Sequence, residues 1–196
     1  MYSDDFDIDL ENLLPSKQEQ QNFKPLKLNN KLDCYNDNVE GWFWNGKPID
    51  KIPTSHKSFV YLFTNKINGK QYIGFKTAVS RTIKVVGGKK KRGEVESDWK
   101  DYYSSSQEVL HEIAKYGRGN FLREIIALTV DKSVGKYYEA YCQFTRNVLT
   151  SEHDRYYNGI VNLRLNHRTL KNFDKIEYAS VILGDQLRDH LCKSIP

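Results

Sequence analysis

Two apolar-aromatic runs, Phe59-Val60-Tyr61-Leu62-Phe63 and Gln71-Tyr72-Ile73-Gly74-Phe75, flank a short polar stretch that contains Asn68-Gly69. Asn-Gly between such runs is the strongest local signal for a tight β-hairpin, because both turn residues must adopt positive φ. Strand side chains alternate between faces, so a hairpin in this register brings Tyr61 and Tyr72 near each other on one surface. Tyrosines on a strand surface are usually packing residues, but the charge around these two argues for more. From Lys51 to Gly93 there are eleven Lys and Arg residues and no acid. Phenols beside concentrated positive charge suggest chemistry on a phosphate.

The charge is unevenly spread. Residues 1–50 carry ten acids against five bases, which leaves +10 on the remainder of a chain whose net charge is +5. An acidic arm on a basic body suggests a polyanionic partner, and an arm that competes for the same surface. A length of 196 residues can bury one good core with room for an arm or a tail. Cys34, Cys142 and Cys192 form no CxxC pair and no zinc-type spacing with histidine, which argues against a disulfide framework and a zinc site. The first seven residues are acidic where a signal peptide would be basic and then apolar, and no apolar run approaches membrane-spanning length. These features predict a soluble protein of a reducing compartment, the cytoplasm.

The chain divides into an acidic N-terminal arm over 1–57, a main domain over 58–165 and a helical tail over 166–196. Within the arm, residues 4–14 suggest a short acidic amphipathic turn, and Gly41-Trp42-Phe43-Trp44 is apolar enough to dock back on the main domain. After the hairpin, Thr77 to Val86 reads as a short helix with Arg81 and Lys84 on one face. Gly87-Gly88-Lys89-Lys90-Lys91-Arg92-Gly93 reads as a glycine-bounded basic loop. Ser105 and Glu108 form a capping box for a helix ending at Gly117, and Leu122 to Val130 reads as a buried strand. From Ser133 to about Thr150 the period is helical, with Tyr137, Tyr141, Phe144 and Val148 on one stripe and Glu139, Gln143 and Arg146 on another. A turn at Tyr156-Tyr157-Asn158-Gly159 precedes a short strand, Ile160 to Arg164, and residues 174–191 suggest a last helix.

Hydrolysis of a phosphodiester needs a base for water, positive charge for the phosphorane oxygens and neutralisation of the leaving oxygen. Tyr61 and Tyr72 offer phenols, Arg81 and Lys84 offer cations, and Glu139 offers a hard oxygen ligand. One carboxylate with phosphate oxygens and water is a common way to hold Mg²⁺. A phenol of ordinary pKa, ~10, is a poor base at neutral pH unless cations or a metal lower it.

The ordered set of motifs resembles the GIY-YIG endonucleases, in particular phage-borne members of the homing or restriction type. The resemblance covers about residues 58–165. It rests on Phe59-Val60-Tyr61, Tyr72-Ile73-Gly74, the glycine-lysine-rich stretch at 87–92 and Ser97-Asp98-Trp99-Lys100-Asp101-Tyr102-Tyr103-Ser104-Ser105. Lys115-Tyr116-Gly117, Asn120-Phe121-Leu122-Arg123-Glu124-Ile125 and Tyr157-Asn158 complete it. The first motif keeps its tyrosine but replaces the glycine and isoleucine. Phe75 follows the second motif where a small or basic residue is common.

The resemblance implies an α+β fold, a small three-stranded antiparallel sheet flanked by helices. It also implies one-metal hydrolysis of double-stranded DNA with a tyrosine base. By matching position, the functional residues are Tyr61, Tyr72, a helix arginine Arg81 with Lys84 as a stand-in, the metal-binding Glu139 and the late Asn158. Mg²⁺ is the expected cofactor, with Mn²⁺ able to substitute. Lys76, Lys89, Lys90, Lys91 and Arg92 are the expected DNA contacts. Many relatives place the metal ligand nearer the Tyr-Asn turn, where this chain has Gln143, and Glu139 is the only acid of its helix. Two other readings stay open: a non-catalytic DNA- or RNA-binding protein of the same fold, and a protein-interaction module working through the acidic arm.

Overall fold

The hairpin expected from the two aromatic runs forms, and it lies inside a larger sheet. The computed structural model describes residues 41–164, 170 and 172–193; the amphipathic turn expected over 4–14 lies outside the described residues. In chain order the strands are β1 (Trp42–Trp44), β2 (Lys47–Ile49), β3 (Ser58–Asn65), β4 (Gln71–Thr77), β5 (Val79–Val86), β6 (Lys89–Glu96), β7 (Phe121–Thr129) and β8 (Glu177–Tyr178). The helices are α1 (Gln107–Tyr116), α2 (Lys132–Thr145) and α3 (Leu183–Lys193).

The expected antiparallel trio β7-β3-β4 is the centre of a six-stranded sheet of order β2-β1-β7-β3-β4, with β8 also on β7. β3 and β7 are buried along their whole lengths, as continuous apolar runs in central strands should be. Their pairing shifts between Val60 and Tyr61, which face Ala127 and Ile125 and leave Ile126 as an extra residue. Such a bulge twists the strand locally and re-aims the side chains beside it; here it sits at Tyr61.

The sheet has two packed faces. On one, Trp42, Phe59, Tyr61, Phe63 and Trp99 meet Val109 and Ile113 of α1. On the other, Val60, Leu62 and Ile73 meet Val134 and Cys142 of α2. α1 starts from Ser106, one residue later than expected, whose hydroxyl accepts from the Val109 amide, and it ends at Gly117 with φ of 83°.

Several expectations are corrected. The domain does not begin at residue 58. β1 pairs in parallel with β7, Trp42 opposite Arg123, and the Trp42 indole donates to the Trp99 carbonyl at 2.8 Å. The tryptophans expected to dock on the main domain therefore extend its sheet, where Trp42 is buried and Trp44 part-buried. Asn68 has no positive φ; only Gly69 does, at 73°. The β3–β4 turn is longer because the Asn65 and Asn68 side chains accept from the Ile67 and Lys70 amides, shaping it as two successive Asx turns.

Thr77 to Val86 is not a helix. β5 and β6 form a separate two-stranded ribbon, in register from Val79↔Glu96 to Val86↔Lys89. Val79, Thr82, Ile83, Val85 and Val86 favour a strand, and Gly87-Gly88, both at positive φ, close the tight turn that returns it. Lys89 to Arg92 therefore lie in β6 rather than in a loop. Residues 160–164 carry no strand.

The tail is part of the fold. The Glu124 carboxylate, buried in β7, accepts the first two amides of α3, from Leu183 at 2.7 Å and Gly184 at 2.6 Å. Those N–H groups have no partner within the helix and attract an anion. Arg146 and Asp185 add a forked ion pair at 2.7 and 2.8 Å. No helix among the described residues is long and apolar enough to cross a membrane.

Candidate active site

The site grows from the register of β3 and β4. Tyr61 stands opposite Gly74, and Tyr72 is two residues back on the same face of β4. The two phenol rings are 6.1 Å apart between centroids, close enough to touch diagonally across the strands. Gly74 has to be glycine, since the Tyr61 ring lies across the space a side chain would fill. Tyr102 completes the cluster, its ring edge-on to Tyr61 at 6.0 Å and its hydroxyl 3.5 Å from that of Tyr61.

Tyr61 is 1% exposed, whereas Tyr72 is only part-buried. Burial, then Tyr102 and Tyr72, pushes the Tyr61 phenol well above its ordinary pKa. Burial, then the charge of Glu139, raises Tyr72 to about 12, against a smaller opposing pull from Ser105 and Ser104. Both phenols are protonated at neutral pH. Lowering by nearby cations, anticipated from the basic stretch, does not occur among the described residues.

Glu139 stands on α2, near enough for its charge to raise both phenols. The helix comes close because Gly135, one turn earlier, has no side chain; a Cβ there would meet Phe75 Cε2 at 2.5 Å. Phe75, unusual after the second motif, is thus the surface on which α2 rests. Burial raises the Glu139 carboxyl to about 7, opposed only by Lys136. Among the described residues this carboxylate has no hydrogen bond or ion pair, so it is a partly desolvated acid offset only by the charge of Lys136 beyond ion-pair distance.

Asn158 and Gln143 serve the backbone of the second motif. Asn158 accepts from the Ile73 amide at 2.9 Å and donates to the Ile73 carbonyl at 2.8 Å, and Gln143 donates to the same carbonyl at 3.2 Å. The Tyr157 amide donates to the Gln71 carbonyl at 2.7 Å. Tyr156 to Asn158 thereby closes the free edge of β4 and fixes the strand that carries Tyr72 and Gly74. The Asn158 side chain is engaged with Ile73, which argues for positioning rather than contact with substrate.

Arg81 and Lys84 are not at the phenols. Three residues apart on a strand, they point to opposite faces of the β5–β6 ribbon, not to one face of a helix. Among the described residues neither forms a hydrogen bond, ion pair or ring contact with Tyr61, Tyr72 or Glu139. A cation that touches the cluster is Lys76, next after Gly74 on that face of β4. Its ammonium lies 3.8 Å from the Tyr102 ring centroid and pairs with Asp98 at 2.7 Å. Tyr102 and the serines beside it are members that sequence reasoning passes over. Their signal is the Tyr102-Tyr103-Ser104-Ser105 run, legible as part of a motif but silent about its contact with Tyr61.

The family model described as "Putative endonuclease segE, GIY-YIG domain" matches residues 42–161. No curated protein and no solved structure matches the chain. The match begins at Trp42, where β1 enters the sheet, and ends just past Asn158, where the edge of β4 is closed. With the phenols diagonal across β3 and β4, the close-packed Gly74 and the acid on α2, the chain belongs to the segE-type GIY-YIG endonuclease domain family.

Proposed function

We propose that this protein is a divalent-metal-dependent DNA endonuclease whose reaction centre is formed by Tyr61, Tyr72, Tyr102, Lys76 and Glu139. The observation that carries this reading is Glu139, a partly buried carboxylate without a hydrogen-bonded or ion-paired partner among the described residues, whose charge reaches two phenols. A single hard carboxylate of this kind fits Mg²⁺ or Mn²⁺, which fills its remaining positions with phosphate oxygens and water. Such an ion, when bound, supplies positive charge to phosphate oxygens and acidifies nearby hydroxyls.

The remaining roles belong to the chain itself. Tyr72, the more accessible phenol, faces the scissile phosphate. Tyr61 backs it, holding a hydroxyl between Tyr72 and Tyr102. Lys76 provides the fixed cation that Arg81 was expected to provide. Gly74 keeps the phenols in contact, and Asn158 with Gln143 prevents β4 from shifting beneath them.

Nicking of supercoiled plasmid tests the reading. The parent protein nicks with Mg²⁺ or Mn²⁺ and not in excess EDTA, and Glu139→Gln does not nick while keeping its DNA affinity. Cutting that persists in EDTA, or near-parental cutting by Glu139→Gln, refutes it. The non-catalytic reading rests on Gln143, and its hold on Ile73 gives that residue a structural duty independent of metal.

A further inference from the structure

We infer that the β5–β6 hairpin is a ribbon that enters the major groove of duplex DNA, with Ile83, Val85, Lys90 and Arg92 turned to the base edges. This deepens the nuclease reading and rests on it. Each strand has eight residues, a length of ~27 Å, which is most of a helical turn of B-DNA. The ribbon is anchored at its base, where the Ala78 amide donates to the Lys57 carbonyl, the Ser97 amide donates to the Ala78 carbonyl, and Lys57 pairs with Glu94. No further described strand pairs with either edge.

An isolated two-stranded ribbon is marginal in water, and this one exposes β-branched side chains. Ile83 is 63% and Val85 66% exposed, on the same face as their cross-strand partners Arg92 and Lys90. Between Thr82 and Gly93 there are five Lys and Arg residues and no acid. The two acids, Glu94 and Glu96, lie at the base, where Lys57 and Lys100 pair with them.

The two faces differ in chemistry. One mixes apolar side chains with the guanidinium groups of Arg81 and Arg92 and the ammonium of Lys90. The other carries Lys84, Lys89 and Lys91. The major groove is wide enough for a two-stranded ribbon and offers guanine N7 and O6 to Arg or Lys and the thymine methyl to apolar groups. Its phosphate walls match the lysine face. A-form RNA has a major groove too deep and narrow to be read in this way.

Two double variants of equal charge decide the matter, both made in full-length Glu139→Gln protein. Lys90→Ser with Arg92→Ser is predicted to weaken binding to the plasmid fragment that the parent cuts best by roughly ten-fold more than Lys89→Ser with Lys91→Ser. Lys89→Ser with Lys91→Ser should flatten the salt dependence, by ~0.9 in slope for each phosphate that is no longer neutralised, more than Lys90→Ser with Arg92→Ser does. Bound protein should protect guanine N7 from dimethyl sulfate, and Lys90→Ser with Arg92→Ser should abolish that protection. Equal weakening by the two doubles, absence of N7 protection, or stronger binding to an RNA duplex overturns the inference. If the parent still nicks DNA in Mg²⁺, any of those results removes the ribbon's role alone. A parent that neither nicks nor binds DNA removes both readings.

Discussion

Gly74 lies directly beneath Tyr61: a Cβ on the glycine would meet the phenol Cζ and oxygen at 2.3 Å and Tyr72 Cε1 at 2.8 Å. Both contacts are far inside van der Waals distance, and the Tyr61 ring is held by Trp42, Phe63 and Tyr102, with Tyr72 resting against it. Gly74→Ala therefore has to displace the two phenols together. We predict a stability loss of about 1–3 kcal/mol in urea denaturation. The nicking rate should fall ~10²-fold, because reacting groups tolerate little misplacement, with DNA affinity nearly unchanged. Retention of parental nicking would mean that the phenols do not act at the phosphate.

Glu139 makes stability depend on pH in a direction opposite to a salt-bridged acid. Its folded-state pKa of about 7 lies above the ordinary carboxylate value, so the native state holds the proton more tightly. That contribution is fully present below about pH 4.5 and is lost as pH rises through 7. Glu139→Gln should thus be more stable than the parent at pH 8, on the order of 2 kcal/mol, with the difference shrinking toward pH 5. Added Mg²⁺ at pH 8 should raise the melting temperature of the parent and not of the variant. A parent insensitive to both pH and Mg²⁺ would show that this carboxylate is neither desolvated nor a ligand.

The two hydrogen bonds from Asn158 to Ile73 hold one residue of an edge strand by both its polar groups. Asn158→Ala leaves the buried Ile73 amide unpaired and its carbonyl with Gln143 alone, at a cost of about 1–3 kcal/mol. Hydrogen exchange of the Ile73 amide should accelerate far more than that of Leu62, its partner on β3. Nicking should fall through a lower kcat, with little change in DNA affinity. Unaltered exchange at Ile73 would contradict this positioning role.

Glu124 is the buried carboxyl group that accepts the first amides of α3, and burial raises its pKa to about 7. Glu124→Ala leaves the Leu183 and Gly184 amides without their acceptor, and limited proteolysis should then cleave within α3 well before the sheet. Loss of α3 also frees Arg188 from the Gln71 side chain at 3.2 Å and the Tyr156 hydroxyl at 3.3 Å. Activity should therefore decline together with helix docking. Full activity with a released helix would separate the tail from the site.

Legibility in the sequence follows the range over which each interaction acts. The β3–β4 hairpin, the β7 strand and the Gly117 stop of α1 are readable because turn chemistry and apolar runs are local. Trp42 is readable only as apolar; that it becomes a parallel strand on β7 depends on Arg123, Glu124 and Ile125, which no local pattern reveals. The basic stretch after β4 reads as helix and loop because Arg81 and Lys84 are spaced for a helix face. The β-branched run and Gly87-Gly88 carry the competing signal, and in the fold that signal prevails. Tyr61, Tyr72 and Glu139 can be proposed from motif order. Their protonation cannot, because it is set by burial beneath Tyr102 and against α2 rather than by the lysines nearby in sequence.

The parallel pairing of Trp42 with Arg123 also bears on how the chain reaches its native state. About 80 residues separate the partners, so during synthesis the sheet cannot be completed until β7 has emerged, roughly 4–16 s after Trp42 at ordinary translation rates. Through that interval the indole and the aromatic face of β3 have no β7 to cover them. Non-local closure of this kind slows folding and prolongs exposure of aggregation-prone surface. A nascent chain arrested before Phe121 should consequently engage chaperones, and one extended past Thr129 should release them.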